Sequence, residues 1–250
     1  MKGYGSFCPV AKAAEVLAER WTLLLLRDLL LGSRHFNDLK RGVPQMSPTL
    51  LSKRLQTLED AGVIERRPGR NGHGWEYHPT PAGEDLKPLI EMIGHWGQRW
   101  VRSRLTRDEL DPGMLMWYIH RHSKPAELPP RRVVVYVEFS DVKRMKRWWM
   151  VIENGVVDLC LEDPGHEIEV AIYADLLTLT QIYIGDLTID RARSLGKIKV
   201  CGPGDLLRSM PRWFARSKFA DDNPMPAMVT DPPQRAQVRN PANASRRSGV

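Results

Sequence analysis

Residues 47–67, SPTLLSKRLQTLEDAGVIERR, decide the fold that we expect for the first half of the chain. Ser47 is a favourable N-cap, and Pro48 suits the first helical position, where a backbone N–H has no partner within the helix. Leucines then recur at helical spacing until Gly62, after which a β-branched pair and charged residues follow. The pattern predicts an amphipathic helix that leads directly into a strand.

The polar face of this predicted helix carries short hydrogen-bonding side chains and a cation. Leu51, Leu55 and Leu58 form the apolar stripe, and no carboxylate appears on the opposite side before Glu59. A face that meets only water more often mixes charges of both signs along its length. We therefore expect this face to contact DNA, with an ordinary solvated face as the alternative. Its residues are Thr49, Ser52, Lys53 and Gln56.

The segments on either side of the helix favour the DNA-binding interpretation. SRHFNDLKRGV (33–43) predicts a short helix and is followed by a turn, which gives helix-turn-helix order. GVIERRPGRNGHGWEYHPT (62–80) predicts two strands around an Asn71-Gly72 turn. An arginine-bearing hairpin in this position can serve as a wing that reaches a phosphate or the minor groove.

Positive charge is concentrated in the same region. Residues 34–70 contain eight lysines and arginines against four carboxylates, which is more than half of the net charge of +7 of the whole chain. We expect Lys40 and Arg54 to contact phosphates only if their side chains extend beyond the core. The other DNA contacts that we expect are Ser47 at the start of the helix and Arg66, Arg67 and Arg70 on the wing.

The composition argues against several other classes of protein. A chain of 250 residues with 42% hydrophobic and 27% charged residues is typical of a globular protein with two domains. The apolar run WTLLLLRDLLLG (21–32) is broken by Arg27 and Asp28, and the N-terminal residues lack the apolar core of a secretory signal. Three widely spaced cysteines favour neither a disulfide framework nor a zinc site. We expect a cytoplasmic protein that does not enter a membrane and has no metal, no cofactor, no catalytic residues and no enzymatic activity.

Residues 8–104 resemble the HxlR family of winged helix-turn-helix transcriptional regulators. The resemblance rests on Cys8-Pro9, WTLLLLRDL (21–29), SPTLLSKRL (47–55), LEDAGVIER (58–66) and TPAG (80–83). It implies a homodimer that binds double-stranded DNA, here expected to be of the repressor type, and that pairs through the first helix and the helix after the wing. That last helix carries an apolar stripe, and packing within its own subunit is the alternative. The stripe is Leu86, Leu89, Ile90, Ile93, Trp96, Trp100 and Val101.

Cys8 lies where some members of this family carry a redox-responsive thiol. No histidine or second cysteine is close in the sequence to activate it. We therefore favour its interpretation as a small buried hydrophobic residue.

Residues 133–219 predict a second domain of different character. VVVYVEF (133–139) and RWWMVIENGVVDLCL (147–161) are typical of strands, with Asn154-Gly155 as a two-residue hairpin turn. The predicted order is four antiparallel strands, two helices, the strand KIKVCG (197–202) and a last helix, which is an α+β arrangement. We expect a linker at 121–132 between this domain and a first domain at 1–120, and a disordered tail at 220–250.

The closing half of this second domain is similar to sterol-carrier-protein-like lipid-binding domains. The similarity rests on an acidic residue before a leucine-rich helix and on GKIKVCG (196–202). It implies helices that lie over a sheet and can enclose an apolar tunnel for a lipid or another apolar small molecule, with a packed core as the alternative. Residues that could line such a tunnel are Trp148, Met150, Leu176, Leu179, Ile182 and Met210.

The sequence thus predicts a multidomain protein, a mainly-α winged helix-turn-helix domain followed by an α+β sterol-carrier-like domain. The function that we expect is DNA-binding transcription regulation, with the second domain as an apolar-ligand sensor or a packing domain. The alternative function is that of a lipid-binding carrier or ligand-modifying protein that uses its first domain only for dimerisation.

Overall fold

The structure is a computed structural model and describes residues 3–69, 74–101, 105–214 and 216–222. The chain packs around two main hydrophobic cores, and we call the corresponding parts the first and second units. The first unit contains α1 (Pro9–Leu17), α2 (Thr22–Leu30), α3 (Phe36–Gly42), α4 (Pro48–Asp60), β1 (Ile64–Pro68), β2 (Trp75–Pro79), α5 (Pro81–Glu84) and α6 (Lys87–Trp96), followed by a π-helical turn (Gly97–Val101).

The first unit is built around α2, which lies at its centre. Leu25, Leu26 and Leu29 of α2 are buried together with the leucine stripe of α4. α3 and α4 are joined by a short turn whose Val43 and Met46 lie in the same core. This arrangement confirms the predicted helix-turn-helix, and it holds α4 by its apolar side.

The predicted wing is also present. β1 and β2 pair antiparallel, with Ile64 opposite Pro79 and Pro68 opposite Trp75. A bridge between His35 and Glu76 attaches the second strand to the residue before α3. The tip of the wing, residues 70–73, lies outside the described residues.

The second unit begins earlier than the sequence suggested. It contains α7 (Pro112–His122), β3 (Val133–Phe139), β4 (Arg147–Glu153), β5 (Val156–Cys160), β6 (Val170–Ala174), α8 (Leu176–Ile184), α9 (Ile189–Ser194), β7 (Ile198–Cys201) and α10 (Gly204–Trp213). Leu115, Met116 and Ile119 of α7 are buried in its core, as is Leu128 in the predicted linker. Part of the predicted first domain, α7, and Leu128 of the predicted linker therefore pack in the core of the second unit.

The sheet of the second unit is mixed, with the strand order β5-β4-β3-β6-β7. Asn154 and Gly155 form the predicted two-residue hairpin turn, with φ values of 52° and 78°. The expectation of four antiparallel strands is wrong for β6, which pairs with β3 in parallel. β6 reaches that position by a crossover from the edge strand β5, and such a connection leaves no turn signal comparable to a hairpin. Helices α7, α8 and α10 cover one face of the sheet, so the helix-on-sheet arrangement is present.

A buried ion-pair network fixes the two units together. Asp28 of α2 is fully buried, and its carboxylate lies 3.1 Å from Arg27 Nε and 3.3 Å from Arg121 Nη1 of α7. Arg121 also donates to Ser33 Oγ over 2.9 Å. Burial is the largest influence on Arg27 and acts to lower its pKa, but the Asp28 carboxylate together with Tyr118 and Tyr183 raises the pKa overall, so the guanidinium stays charged. Gly42 passes so close that an added Cβ would lie 1.8 Å from Asp28 Oδ2.

The end of the described chain returns to the first unit. Residues 216–222, which we call the strap, cross the surface of α6, where Lys218 Nζ pairs with Glu91 Oε1 at 2.8 Å. The predicted disordered tail lies outside the described residues from 223 onwards. Within the described ranges, no helix combines the length and apolar character needed to cross a bilayer.

Candidate nucleic-acid interface

The N-terminus of α4 is capped as the sequence predicts. Ser47 Oγ accepts a hydrogen bond from the backbone N–H of Leu50 over 3.2 Å, and Pro48 occupies the first helical position. Leu51, Leu55 and Leu58 are buried. Because the apolar stripe is held in the core, the opposite side of α4 faces outward in a fixed orientation.

The four polar residues of that outer side are all exposed. They are Thr49, Ser52, Lys53 and Gln56. Gln56 Nε2 donates to Asp60 Oδ1 over 2.8 Å, which orients the amide along the helix. This bond uses one of the two amide donors and leaves the second donor and the carbonyl oxygen available for the edge of a base. The structure therefore brings these side chains to one surface, and their contact with DNA stays a prediction.

Two cations near this face are engaged within the chain. The guanidinium of Arg54 pairs with Glu19 and donates to the backbone oxygen of Arg20, and its side chain is only 12% exposed. The Arg54 side chain therefore does not extend beyond the core to the surface, and its expected phosphate contact is not supported. Lys40 Nζ donates to the backbone oxygen of Pro44 over 2.7 Å and braces the turn before α4. These contacts arise from folding, since Arg54 and Glu19 are 35 residues apart in the sequence.

The wing presents arginines whose local ion pairs are exposed to solvent. Arg66 Nε lies 3.7 Å from Glu59 Oε1, and Arg67 pairs with a carboxylate of its own strand and is 58% exposed. Exposed ion pairs of this kind are worth about 1 kcal/mol or less, so their exchange for a phosphate costs little. Arg70, the third predicted wing contact, lies outside the described residues.

Trp75 is a wing residue that the predicted DNA contacts did not include. Its side chain is 50% exposed, and the Arg66 guanidinium lies 4.5 Å from the centre of its ring. A cation–π contact at this distance orients Arg66 along the outer surface of the wing. The signal in the sequence is a tryptophan at the start of the return strand, diagonally across from an arginine.

The six residues predicted to line a tunnel in the second domain all lie in its core and are at most 4% exposed. They are Trp148, Met150, Leu176, Leu179, Ile182 and Met210. Trp148 also borders a hollow of about 300 Å³ beside Trp117 and Met145, close to the end of α3. The other five residues are packed in the core, which is the alternative that the sequence left open. Binding of a lipid among them stays a prediction.

Cys8 is exposed, whereas His120 and His122 at the end of α7 are partly buried. Cys8 is exposed at the N-cap of α1, so its interpretation as a small buried residue is wrong for the single chain.

His120 Nε2 lies 2.7 Å from the backbone oxygen of Val157, and His122 Nδ1 lies 2.9 Å from that of Tyr118. Burial lowers the pKa of both rings, which favours neutral imidazoles that donate to these oxygens. Among the described residues, no group of three or more side chains could hold a metal ion.

Two helices of the first unit leave apolar side chains uncovered. Within the residues that the structure describes, neither α1 nor α6 has a buried residue. Phe7 beside α1 is 99% exposed, and Met92 and Trp96 of α6 are 67% and 57% exposed. Leu86 and Ile90 of the predicted stripe pack against the first core. α6 therefore has an inner apolar side, which meets its own unit, and an outer apolar side without a partner among the described residues.

Together, the capped and outward-facing α4, the helix before it and the wing after it define a winged helix-turn-helix protein. A family model described as HxlR-like helix-turn-helix matches residues 16–104. An uncharacterized HTH-type transcriptional regulator of Bacillus subtilis, YvaP, is 35% identical over 100 residues, which cover 38% of this chain and 89% of YvaP. The chain belongs to the HxlR-like helix-turn-helix family.

Other similar proteins match the same share of the chain. An uncharacterized HTH-type transcriptional regulator of Mycobacterium bovis is 39% identical over 93 residues, 37% of this chain and 58% of that protein. The chain thus spans somewhat more than half of the length of this relative. Among solved structures, the reduced form of the transcriptional regulator YodB from B. subtilis has a TM-score of 0.33 and 25% identity, covering 37% of this chain and 93% of YodB. The family match ends at residue 104, before α7 begins.

Proposed function

We propose that the protein is a homodimeric, DNA-binding transcriptional regulator of the repressor type, which acts in the cytoplasm without an enzymatic step. The observation that carries this proposal is the outer side of α4, which is exposed, free of carboxylates over its first three turns and held in place by a buried leucine stripe. Membership of a family whose relatives are HTH-type transcriptional regulators supports the same function.

The residues of α4 suit different parts of a DNA duplex. In a helix-turn-helix, the residues near the start of the second helix contact base edges in the major groove. The amide of Gln56 matches the paired donor and acceptor of adenine, and the hydroxyls of Thr49 and Ser52 can contact several bases. Lys53 contributes a cation for a phosphate, and Ser47 lies at the helix N-terminus, where backbone N–H groups attract an anion.

The wing extends the contact beyond the major groove. Arg66 and Arg67 follow α4 along the chain and remain at the surface, and Arg70 follows them at the predicted tip. Arginines on such a hairpin can bind phosphates or enter a narrow minor groove. We therefore assign orientation and affinity to the wing, and base selection to α4.

A second copy of the chain accounts for the uncovered apolar side chains of α1 and α6. Large apolar side chains that gather on an exposed surface often mark a site of protein–protein contact. A symmetric pair would bury Phe7, Met92 and Trp96 of each chain and would place two α4 helices on two half-sites. A repressor with this geometry would act by occupying DNA that other proteins need to reach.

Selection of binding sites from a random duplex library, followed by a nuclease footprint at physiological salt, tests this proposal. We expect protection of two half-sites whose centres lie one helical turn or more apart. The variant Lys143→Ala/Arg144→Ala, which removes two exposed cations from a loop of the second unit, is the control and should give the same footprint. A folded wild-type protein that gives no footprint would instead favour the lipid-carrier or ligand-modifying alternative.

A further inference from the structure

A partly open apolar cavity of about 310 Å³ lies at the junction of the two units. Leu23, Leu30 and Ile90 lie on the side of the first unit, and Tyr118 and Tyr183 on the side of the second. This volume lies at the lower end of the range for small-molecule sites, which favour apolar clefts between domains. The cavity is distinct from the core of the second unit, where the sequence placed a ligand.

The wall of the cavity that belongs to the second unit carries polar atoms. Tyr118 and Tyr183 are stacked with ring centres 6.0 Å apart, and Tyr183 Oη lies 3.4 Å from His122 Nδ1. The Arg27 guanidinium lies 5.1 Å from the centre of the Tyr118 ring. A few convergent polar groups within an otherwise apolar lining fix the orientation of a bound molecule.

The charges around the cavity favour an anion. Its lining contains the cations Arg27, Lys87 and Lys218 and the carboxylate Glu91. Arg27 is already paired with the buried carboxylate of Asp28. Glu91 is paired with Lys218 at 2.8 Å, whereas Lys87 is exposed at the first position of α6. A helix N-terminus adds partial positive charge beside that ammonium group.

The strap closes one side of the cavity. The backbone N–H of Ser217 donates to the backbone oxygen of Tyr183 over 2.7 Å. Phe219 lies against α6 so closely that a Cβ added to Gly94 would be 2.2 Å from Phe219 Cζ. The cavity is therefore bounded by α2 and α6, by α7 and α8, and by the strap, and an occupant would contact both units.

We propose that this cavity binds a small organic anion with an aromatic or branched aliphatic body, and that the bound anion stabilises the docking of the second unit on the DNA-binding unit. A ligand that binds only the docked arrangement adds its binding free energy to the stability of that arrangement. This inference does not rest on DNA binding, because its tests are carried out without DNA.

Fluorescence titration with two probes of the same shape tests the cavity. The probes are 8-anilinonaphthalene-1-sulfonate, which is an apolar anion, and N-phenyl-1-naphthylamine, which is its uncharged counterpart. We expect one site per chain for both, and a higher midpoint of thermal unfolding when the anion is bound. Leu30→Trp should fill the cavity and weaken both probes about tenfold or more, because a packed site accommodates added volume poorly. Leu195→Trp, the same substitution at an exposed position of the second unit, is the control and should leave both affinities unchanged.

A charge variant tests the same site without a change in the core. Lys87→Gln should weaken the anion about two- to fivefold and leave the uncharged probe unchanged, as expected for an exposed ion pair. Lys143→Gln should alter neither probe. Wild-type affinity of Leu30→Trp for both probes would overturn the proposal, as would an equal loss of both probes in Lys87→Gln. Dissociation of a dimer into monomers by the anionic probe would also overturn it, because a second chain would then be the natural occupant.

Discussion

Helices α4 and α6 are both amphipathic, and each has one side that no other described segment of the chain covers, but the two uncovered sides differ in chemistry. α4 buries its leucine stripe and exposes two hydroxyls, an amide and an ammonium group. α6 buries none of its residues and exposes Leu89, Met92 and Trp96. The comparison teaches that amphipathicity alone does not identify a partner. The chemistry of the uncovered side identifies the partner, because the polar side of α4 suits polar and anionic DNA and the apolar side of α6 suits another apolar surface.

The largest effect that we expect comes from removal of the polar side of α4. Ser52→Ala/Lys53→Ala/Gln56→Ala should lower the affinity for a selected operator about 10³-fold, to the level of non-specific DNA. Fluorescence anisotropy measures the affinity, and the unfolding midpoint should change little because all three side chains are exposed. Lys143→Ala/Arg144→Ala serves as the control. A triple variant that binds within a factor of three of the wild type would remove α4 from the interface.

The next effect is on the apolar side of α6. Met92→Glu/Trp96→Glu places carboxylates on the surface that we assign to the second copy, and it should weaken self-association about 100-fold or more because a buried unpaired charge is costly. Sedimentation velocity should then report monomers at concentrations where the wild type is dimeric. Leu195→Glu, at another exposed apolar position, should sediment as the wild type does. A Met92→Glu/Trp96→Glu protein that remains dimeric would move the dimer interface elsewhere.

A smaller effect separates phosphate contact from base contact within α4. Lys53→Gln removes one cation that we assign to a phosphate, so all sequences should bind a few-fold less tightly. The slope of log affinity against log salt should become flatter by about one unit. A titration of binding at several salt concentrations measures this slope. An unchanged slope with altered sequence preference would instead place Lys53 on a base.

The smallest effect concerns His120 and His122 of α7 rather than either uncovered side. Burial lowers the pKa of His120 and His122 below the ordinary value of 6.5, so the unfolded chain binds protons just below this pH that the folded chain does not. The free energy of unfolding should therefore fall as the pH drops below 6.5, because the unfolded chain then binds more protons than the folded chain. Urea unfolding at pH 7.5 and 5.5 measures this loss, and His120→Gln/His122→Gln should reduce it. The exposed His166→Gln control should keep the wild-type loss, and an equal loss in all three proteins would assign the pH effect to other groups.

Local signals in the sequence were sufficient for α4 and the wing. The cap, the proline and the leucine spacing all depend on residues within one helix, so α4 begins at the predicted Pro48 and ends shortly before Gly62. The Asn154-Gly155 turn is equally local, because both residues adopt the positive φ values that such a turn requires. The exposure of the four polar residues of α4 follows from the burial of the leucines on its other side.

Contacts between distant segments were beyond the reach of such signals. The parallel pairing of β6 with β3 depends on a crossover, and the apolar spacing of α7 does not reveal which core it joins. The pairing of Arg54 with Glu19 likewise depends on how α4 packs against the loop before α2. For the same reason, the cavity between the units could not be predicted, because its lining comes from segments at both ends of the described chain.

The most direct test of the central claim is a comparison of the sequence preferences of the wild type and the Gln56→Ala variant. Both proteins would be used to select sites from one random duplex library. If α4 lies in the major groove as we propose, Gln56→Ala should lose its preference at one position in each half-site, symmetrically, at a cost of about 1–3 kcal/mol per contact, and keep it elsewhere. Identical preferences for the two proteins at every position would contradict the assignment of α4 as the helix that reads the bases.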